Sequence, residues 1–306
     1  MIHTLISQGN NKDLLIDFVD SSQKMFDEQL KLSMKSSSKT IGVFYWRKDY
    51  WNLLFKCPKR PLETLYLKED QKENLLTTIE DFYSKNARDD YLRFGIPYKK
   101  IIMIHGIPGS GKTTSIRAIA SHFDCDIYMI PISKELTDYG LIDAISFMEE
   151  REDRKKIIVI EDIDCIFTDR KKGDDDNGIS LQGLLNCFDG FACIEGTLLF
   201  ITANQPQVLD EAMIRSCRID HRFEFGFADE YQTKHIFETL LPSQKNDFKK
   251  FYKKIKSQEF TTAMLQEFLF MNRNCDSILD KINDFFTIIE NNKKRVFEKN
   301  KSDFYM

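Results

Sequence analysis

The chain has no apolar run approaching the roughly 18 residues that a membrane-spanning helix needs. Its first segment carries Asp13, Asp17 and Asp20, where a secretory or transit leader avoids acids. Both absences point to a soluble, cytoplasmic protein with no membrane span. The seven cysteines, at 57, 125, 165, 187, 193, 217 and 275, form no CxxC pair and no zinc-like spacing, so reduced thiols are expected and no protein-bound transition metal is implied. The five histidines make no HExxH pattern, and His105, at the end of an apolar stretch, reads as structural. A net charge of -4 removes the electrostatic argument for a nucleic-acid partner, so nucleic acid is not indicated. Glycine (13) and proline (7) are scarce beside abundant Lys, Ile and Phe, a bias of AT-rich genomes that suggests a viral protein working in a host cell.

What is present is enough for a folded protein. The 306 residues have room for about two domains, and 42% hydrophobic against 30% charged residues, with 25 Phe, favours a globular chain over a disordered one. The strongest local signal is GIPGSGKT, Gly106 to Thr113, directly after the apolar run Ile101-Ile102-Met103-Ile104. Strand, glycine-rich turn and helix in this order make a phosphate-binding loop, whose N–H groups and helix N-terminus face a nucleotide's phosphates. The ATP-binding set is Gly106, Ile107, Pro108, Gly109, Ser110, Gly111, Lys112, Thr113 and Thr114. Lys112 is expected to reach the β- and γ-phosphates, and Thr113 to give its hydroxyl to Mg²⁺.

Around this loop the pattern alternates. Strands are expected at Ile101 to His105, Tyr128 to Ile132, Ile157 to Glu161, Leu198 to Ala203 and His221 to Phe225, separated by helical stretches, which predicts a five-stranded parallel sheet covered on both faces. A helix is expected at about Glu69 to Lys85. From Glu230 onward only helical patterns remain. Before the core, Leu14, Leu15, Phe18, Val19, Met25, Phe26 and Leu30 mark an amphipathic helix, and Thr40 to Tyr45 with Trp51 to Cys57 mark a small hairpin. The fold expected is therefore an α/β P-loop NTPase. Its parts are an N-terminal α+β region (residues 1–60), the ATPase core (61–228) and a helical C-terminal lid (229–306).

Further residues carry the chemistry. Ile157-Ile158-Val159-Ile160-Glu161-Asp162 is a buried strand ending in two carboxylates, one to hold Mg²⁺ and one to orient water. The usual order of Asp then Glu is inverted here, which puts the base on the shorter side chain. Leu198 to Ala203 leads into Asn204, which stands where a strand tip meets the γ-phosphate and a water can be positioned; an Asn after a strand is otherwise a turn former. Arg215 and Arg218, three apart, suit projection toward a neighbouring subunit's phosphate; the alternative is a pair of surface salt bridges. Thr168 to Asn177 reads as a solvated charged loop, and Tyr139-Gly140 as a capping turn before Leu141, although the pair also resembles the aromatic-Gly pore loop of protein unfoldases.

In these motifs the chain resembles the AAA family of ring-forming ATPases. It is more similar still to the subfamily of the mitochondrial AAA chaperone that translocates the Rieske iron-sulfur protein. Arg60-Pro61-Leu62-Glu63-Thr64, Arg93-Phe94-Gly95-Ile96-Pro97-Tyr98, Glu161-Asp162-Ile163-Asp164, the stretch Leu181 to Gly190, and Met264 to Leu269 carry that resemblance. It implies that Glu161 takes the Mg²⁺ role with Thr113, that Asp162 is the base, and that Asp162, Asn204, Arg215 and Arg218 are the catalytic set. It also implies a homo-oligomeric ring acting on a protein client. The subfamily's transmembrane helix is not found in the sequence, and Ser216-Cys217 replaces the common Pro-Gly between the arginines. The expected function is Mg²⁺-dependent ATP hydrolysis coupled to protein remodelling or translocation. The alternatives are an ATP-binding, nucleotide-gated interaction protein with little hydrolysis, and a DNA-associated motor.

Overall fold

The computed structural model describes residues 39–47, 49–133, 135–146, 154–165, 178–189, 195–208 and 219–302. The amphipathic helix expected near residues 11–32, the charged loop at 168–177, and Arg215 with Arg218 lie outside the described residues.

One sheet organises the α/β part. Its strands are β1 (Thr40–Arg47), β2 (Tyr50–Pro58), β3 (Lys99–Gly106), β4 (Cys125–Ile130), β5 (Lys155–Ile160), β6 (Thr197–Ala203) and β7 (His221–Phe225). They lie in the order β2-β1-β4-β5-β6-β3-β7, parallel throughout except for the β1–β2 hairpin. The sheet has seven strands, not the five that the sequence predicts. All five expected strands are present; the hairpin, expected as part of a separate N-terminal region, extends the same sheet at the β4 edge.

The reason lies in contacts that no sequence period reveals. Gly42 N donates to Asp126 Oδ1 at 2.7 Å, and the Arg154 guanidinium donates to Asp126 (2.7 Å), Asp124 (2.9 Å) and the Thr40 carbonyl (3.0 Å). A buried carboxylate and one arginine thereby stitch β1 to β4. Phe44 of β1 stacks on Tyr128 of β4 at 4.6 Å between ring centroids, and Trp51 of β2 meets Tyr128 edge-on.

Strands buried on both faces read as continuous apolar runs. In β3, alternate residues point opposite ways: Ile101 and Met103 join one core layer, Ile102 and Ile104 the other. The first layer is closed by α4 (Asp138–Ser146) and α5 (Leu181–Asp189), the second by α1 (Glu69–Phe82) and α3 (Lys112–His122). A short helix, α2 (Ala87–Arg93), precedes β3.

After β7 the chain forms a helical bundle with its own Phe-rich core: α6 (Glu230–Leu240), α7 (Phe248–Ile255), α8 (Thr262–Met271) and α9 (Ile282–Ser302). Asp229 and Gln232 form a capping box at the start of α6, and the Thr261 hydroxyl caps α8 by accepting from Met264 N. Among the described residues no helix is long and apolar enough to cross a membrane.

Candidate functional site

The loop between β3 and α3 is shaped by glycines that no other residue replaces without strain. Gly106 has φ +132°, and a Cβ there would stand 2.0 Å from the Phe225 carbonyl oxygen, so the loop's first residue lies flush against β7. Gly109, at φ +80°, faces the start of α8: a Cβ would meet Thr261 Oγ1 at 3.0 Å, and its carbonyl accepts Ala263 N at 3.2 Å. The helical bundle therefore rests directly on the loop. The first N–H groups of α3, at Lys112, Thr113 and Thr114, precede the helix's own hydrogen-bond ladder, which begins with Ser115 N donating to the Gly111 carbonyl at 2.9 Å.

Three strand ends converge on this loop. Lys112 is 8% exposed, and its Nζ donates to the carbonyls of Gly106 (2.7 Å) and Ile107 (3.2 Å) and to Asn204 Oδ1 (2.8 Å), which uses all three ammonium protons. Asn204, just past β6, turns its amide N–H to Asp162 Oδ1 at 2.8 Å. Glu161, just past β5, accepts the Thr113 hydroxyl at 2.5 Å. Burial lowers the Lys112 pKa, opposed by the neighbouring charges of Asp162, Asp164 and Glu161. His105 lies beside this group; burial lowers its pKa, opposed by Glu224 and reinforced by Arg222 and Lys112.

The end of β5 and the end of β6 are cross-tied. Ile163 N donates to the Thr202 carbonyl at 2.9 Å and Asp162 N to the Thr202 hydroxyl at 3.0 Å. In return, Asp164 accepts Asn204 N at 3.1 Å and Gln205 N at 2.9 Å. Asp162 itself is left-handed, φ +51°, a conformation that aspartate tolerates better than most residues.

Beside the loop a cavity of about 100 Å³ opens between two distant stretches of chain. Gly109, Gly111 and Thr114 border it on the loop side. Arg60, Leu65 and Leu67 form one wall, and Thr262, Ala263 and Gln266 the other. Arg60 Nε is buried there without a hydrogen-bond partner, while its terminal nitrogen donates to the Thr64 carbonyl at 3.1 Å. Burial and the nearby Arg117 charge both lower the Arg60 pKa.

The structure thus brings together Gly106 through Thr114, Glu161, Asp162 and Asn204, each singled out from sequence. Arg215 and Arg218 are outside the described residues. Thr113 and Glu161 supply two hard oxygen donors at one point, which fits Mg²⁺, an ion held by one or two protein oxygens plus phosphates rather than by a full protein cage. Among the described residues no group of three or more His, Cys, Asp or Glu is placed to hold a metal by itself. At the Tyr139-Gly140 pair, Gly140 N donates to Thr137 Oγ1 at 3.1 Å in the first turn of α4, and Tyr139 is 81% exposed. Sequence reasoning missed the cavity walls and the clamp made by Asp164. Arg60 and Gln266 lie in stretches that carry the family resemblance, but nothing local marks them as cavity walls, whereas Asp164 is marked by its spacing after Glu161 and Asp162.

Comparison with known proteins agrees with this geometry. Residues 102–227 match the family described as "ATPase family associated with various cellular activities (AAA)". This stretch is similar to AAA domains. The probable mitochondrial chaperone BCS1-A of Dictyostelium discoideum is 30% identical over 260 residues, covering 80% of this chain and 60% of that protein. The mitochondrial chaperone BCS1 of Homo sapiens is 25% identical over 249 residues, 79% of this chain and 57% of the relative. The protein HYPER-SENSITIVITY-RELATED 4 of Arabidopsis thaliana is 25% identical over 288 residues, 86% and 49% respectively. The chain spans between about half and two thirds of the length of these curated relatives. The resemblance read from the motifs is borne out, while the viral source suggested by composition finds no support among these cellular proteins. The AAA domain implies nucleotide binding at the loop just described.

Proposed function

We propose that this protein hydrolyses ATP with Mg²⁺ in a ring of identical subunits and uses the cycle to remodel or translocate a protein client. The observation that carries the reading is the hydrogen-bonded chain Lys112–Asn204–Asp162 beside Thr113–Glu161, which gathers a cation, a water-positioning amide and two carboxylates at one phosphate-binding loop.

In this reading the loop N–H groups hold the phosphates, and Lys112 exchanges the carbonyls of Gly106 and Ile107 for the β- and γ-phosphate oxygens. The base and ribose enter the cavity between Arg60 and Gln266. Thr113 and Glu161 would hold Mg²⁺, which would neutralise charge on the phosphates. Asn204 fixes the attacking water, and Asp162 accepts its proton. Arg215 and Arg218 complete the site of the neighbouring subunit, as an arginine supplied in trans accelerates phosphoryl transfer by about 10³ to 10⁵. The protein client is inferred from relatives named as chaperones.

One observation favours a second reading, in which ATP is held and little hydrolysed. The base position carries the shorter acid, and its Oδ1 already accepts the Asn204 amide. Steady-state ATP turnover per subunit across protein concentrations, with Lys112→Ala and Arg218→Ala beside the parent, separates the two. Turnover that rises with concentration and fails in both variants supports shared sites in an oligomer. Tight ATP binding without turnover at any concentration overturns hydrolysis and leaves the gated binding protein.

A further inference from the structure

We propose that Asp164 is a positioning residue for the reaction, setting where Asn204 stands between Lys112 and Asp162; this rests on the reading of the site given above. The Asp164 carboxylate bonds to the backbone that carries Asn204, and its charge acts on Lys112. It is 6% exposed, and its two carboxylate oxygens accept the backbone N–H of two consecutive residues, Asn204 at 3.1 Å and Gln205 at 2.9 Å. A carboxylate that accepts two backbone N–H groups fixes the plane and the direction of the chain that carries them, because charge-assisted hydrogen bonds are short and angularly demanding.

Direction matters here because β6 ends at Ala203 and nothing in the strand ladder fixes the residue that follows. Asn204 has two tasks in opposite directions: its Oδ1 meets Lys112 Nζ at 2.8 Å and its Nδ2 meets Asp162 Oδ1 at 2.8 Å. Both contacts fail if the backbone at 204 swings. Thr202 anchors residues 162 and 163 from the β6 side, and Asp164 anchors residues 204 and 205 from the β5 side, so four hydrogen bonds close a small frame around Asp162 and Asn204. Removing Asp164 opens one side of that frame while leaving every group that contacts phosphate in the chain.

The test is a cycle of four proteins: parent, Asp164→Ala, Asn204→Ala and the double variant. Each is measured for ATP turnover and for affinity of a fluorescent ATP analogue. Misplacing a reacting arrangement by about 1 Å costs on the order of 100-fold, so Asp164→Ala should lower turnover about 10- to 100-fold while affinity changes less than about threefold. In the Asn204→Ala background the same substitution should lower turnover no further, because the residue it positions is gone. Asp164→Asn, which keeps one acceptor oxygen, should retain intermediate turnover, and it carries the test if the alanine variant fails to fold. Turnover of Asp164→Ala equal to the parent's, or losses at 164 and 204 that simply add, would overturn the inference while leaving hydrolysis standing. A parent that turns over no ATP would overturn the reading of the site, and this inference with it.

Discussion

Lys112 Nζ lies 2.8 Å from Asn204 Oδ1, and the amide nitrogen on the other side of the same side chain lies 2.8 Å from Asp162 Oδ1. One neutral residue thus stands between the cation and the acid. Replacing it with a carboxylate, Asn204→Asp, puts like charge against Asp162 and loses the amide donor. Turnover should fall about 100-fold, and phosphate-release assays with saturating ATP would measure it. Unchanged turnover would remove Asn204 from the site.

Gly106→Ala should be among the most damaging single substitutions in the loop. The added Cβ would collide with the Phe225 carbonyl, and the φ of +132° is costly for any L side chain. Backbone strain alone is about 1–3 kcal/mol. Thermal melting without nucleotide should show the loss directly, whereas a substitution that impaired only ATP binding would leave this melting temperature alone.

Asp126→Ala should loosen the hairpin from the sheet. The Asp126 side chain is 4% exposed and that of Arg154 11%, and breaking a buried pair by removing one partner costs about 3–5 kcal/mol. Hydrogen exchange should show β1 losing protection well before β5. Equal protection of the two strands would mean that aromatic stacking on Tyr128 suffices.

Arg60→Met should weaken ATP binding without weakening the nucleotide-free fold. Arg60 borders the cavity, and its Nε is buried with no partner. Losing one hydrogen bond to a charged donor is worth about tenfold in affinity. Titration calorimetry with ATP, read beside the melting temperature, distinguishes this from a structural role, which would lower the melting temperature as well.

Acid should destabilise the protein through two half-buried histidines. Burial lowers the pKa of His105, with Arg222 and Lys112 adding to the effect and Glu224 opposing it. Burial also lowers that of His221, with Lys100 adding and Asp220 opposing. With folded values below the ordinary 6.5, the unfolded chain takes up these protons first. The stability they contribute is present above about pH 6.5 and lost as pH falls through the folded values. Melting temperatures between pH 7.5 and 5 should drop less steeply in His105→Gln and His221→Gln than in the parent; parallel slopes would contradict this.

Some of this site could be read directly from the sequence because it is written in contiguous residues. Gly106 to Thr113 announces itself by glycine spacing, and Glu161-Asp162 by four apolar residues before it. The cavity could not be read in the same way: residues 60–67 and 262–266 meet only after the bundle folds back onto the loop, and although Arg60 to Thr64 and Met264 to Leu269 carry the family resemblance, neither stretch shows that it borders a cavity. The full extent of the sheet is not legible for a related reason. Alternation marks Thr40 to Tyr45 as a strand, but the partner it joins is decided by Asp126, Arg154 and Tyr128, whose roles depend on long-range pairing.

The loop is gripped at two places by one continuous stretch of chain. Gly106 abuts Phe225 at the end of β7, and Gly109 bonds to Ala263 at the start of α8. Between those points the chain passes Gly226, beside which a Cβ would meet nothing within 4 Å, and enters the bundle. Loop and bundle are therefore joined at both ends of residues 225–263, by the Gly106–Phe225 approach and by the Gly109–Ala263 hydrogen bond. A ligand that reshapes the loop around Gly109 acts on that hydrogen bond, and so on the first turn of α8.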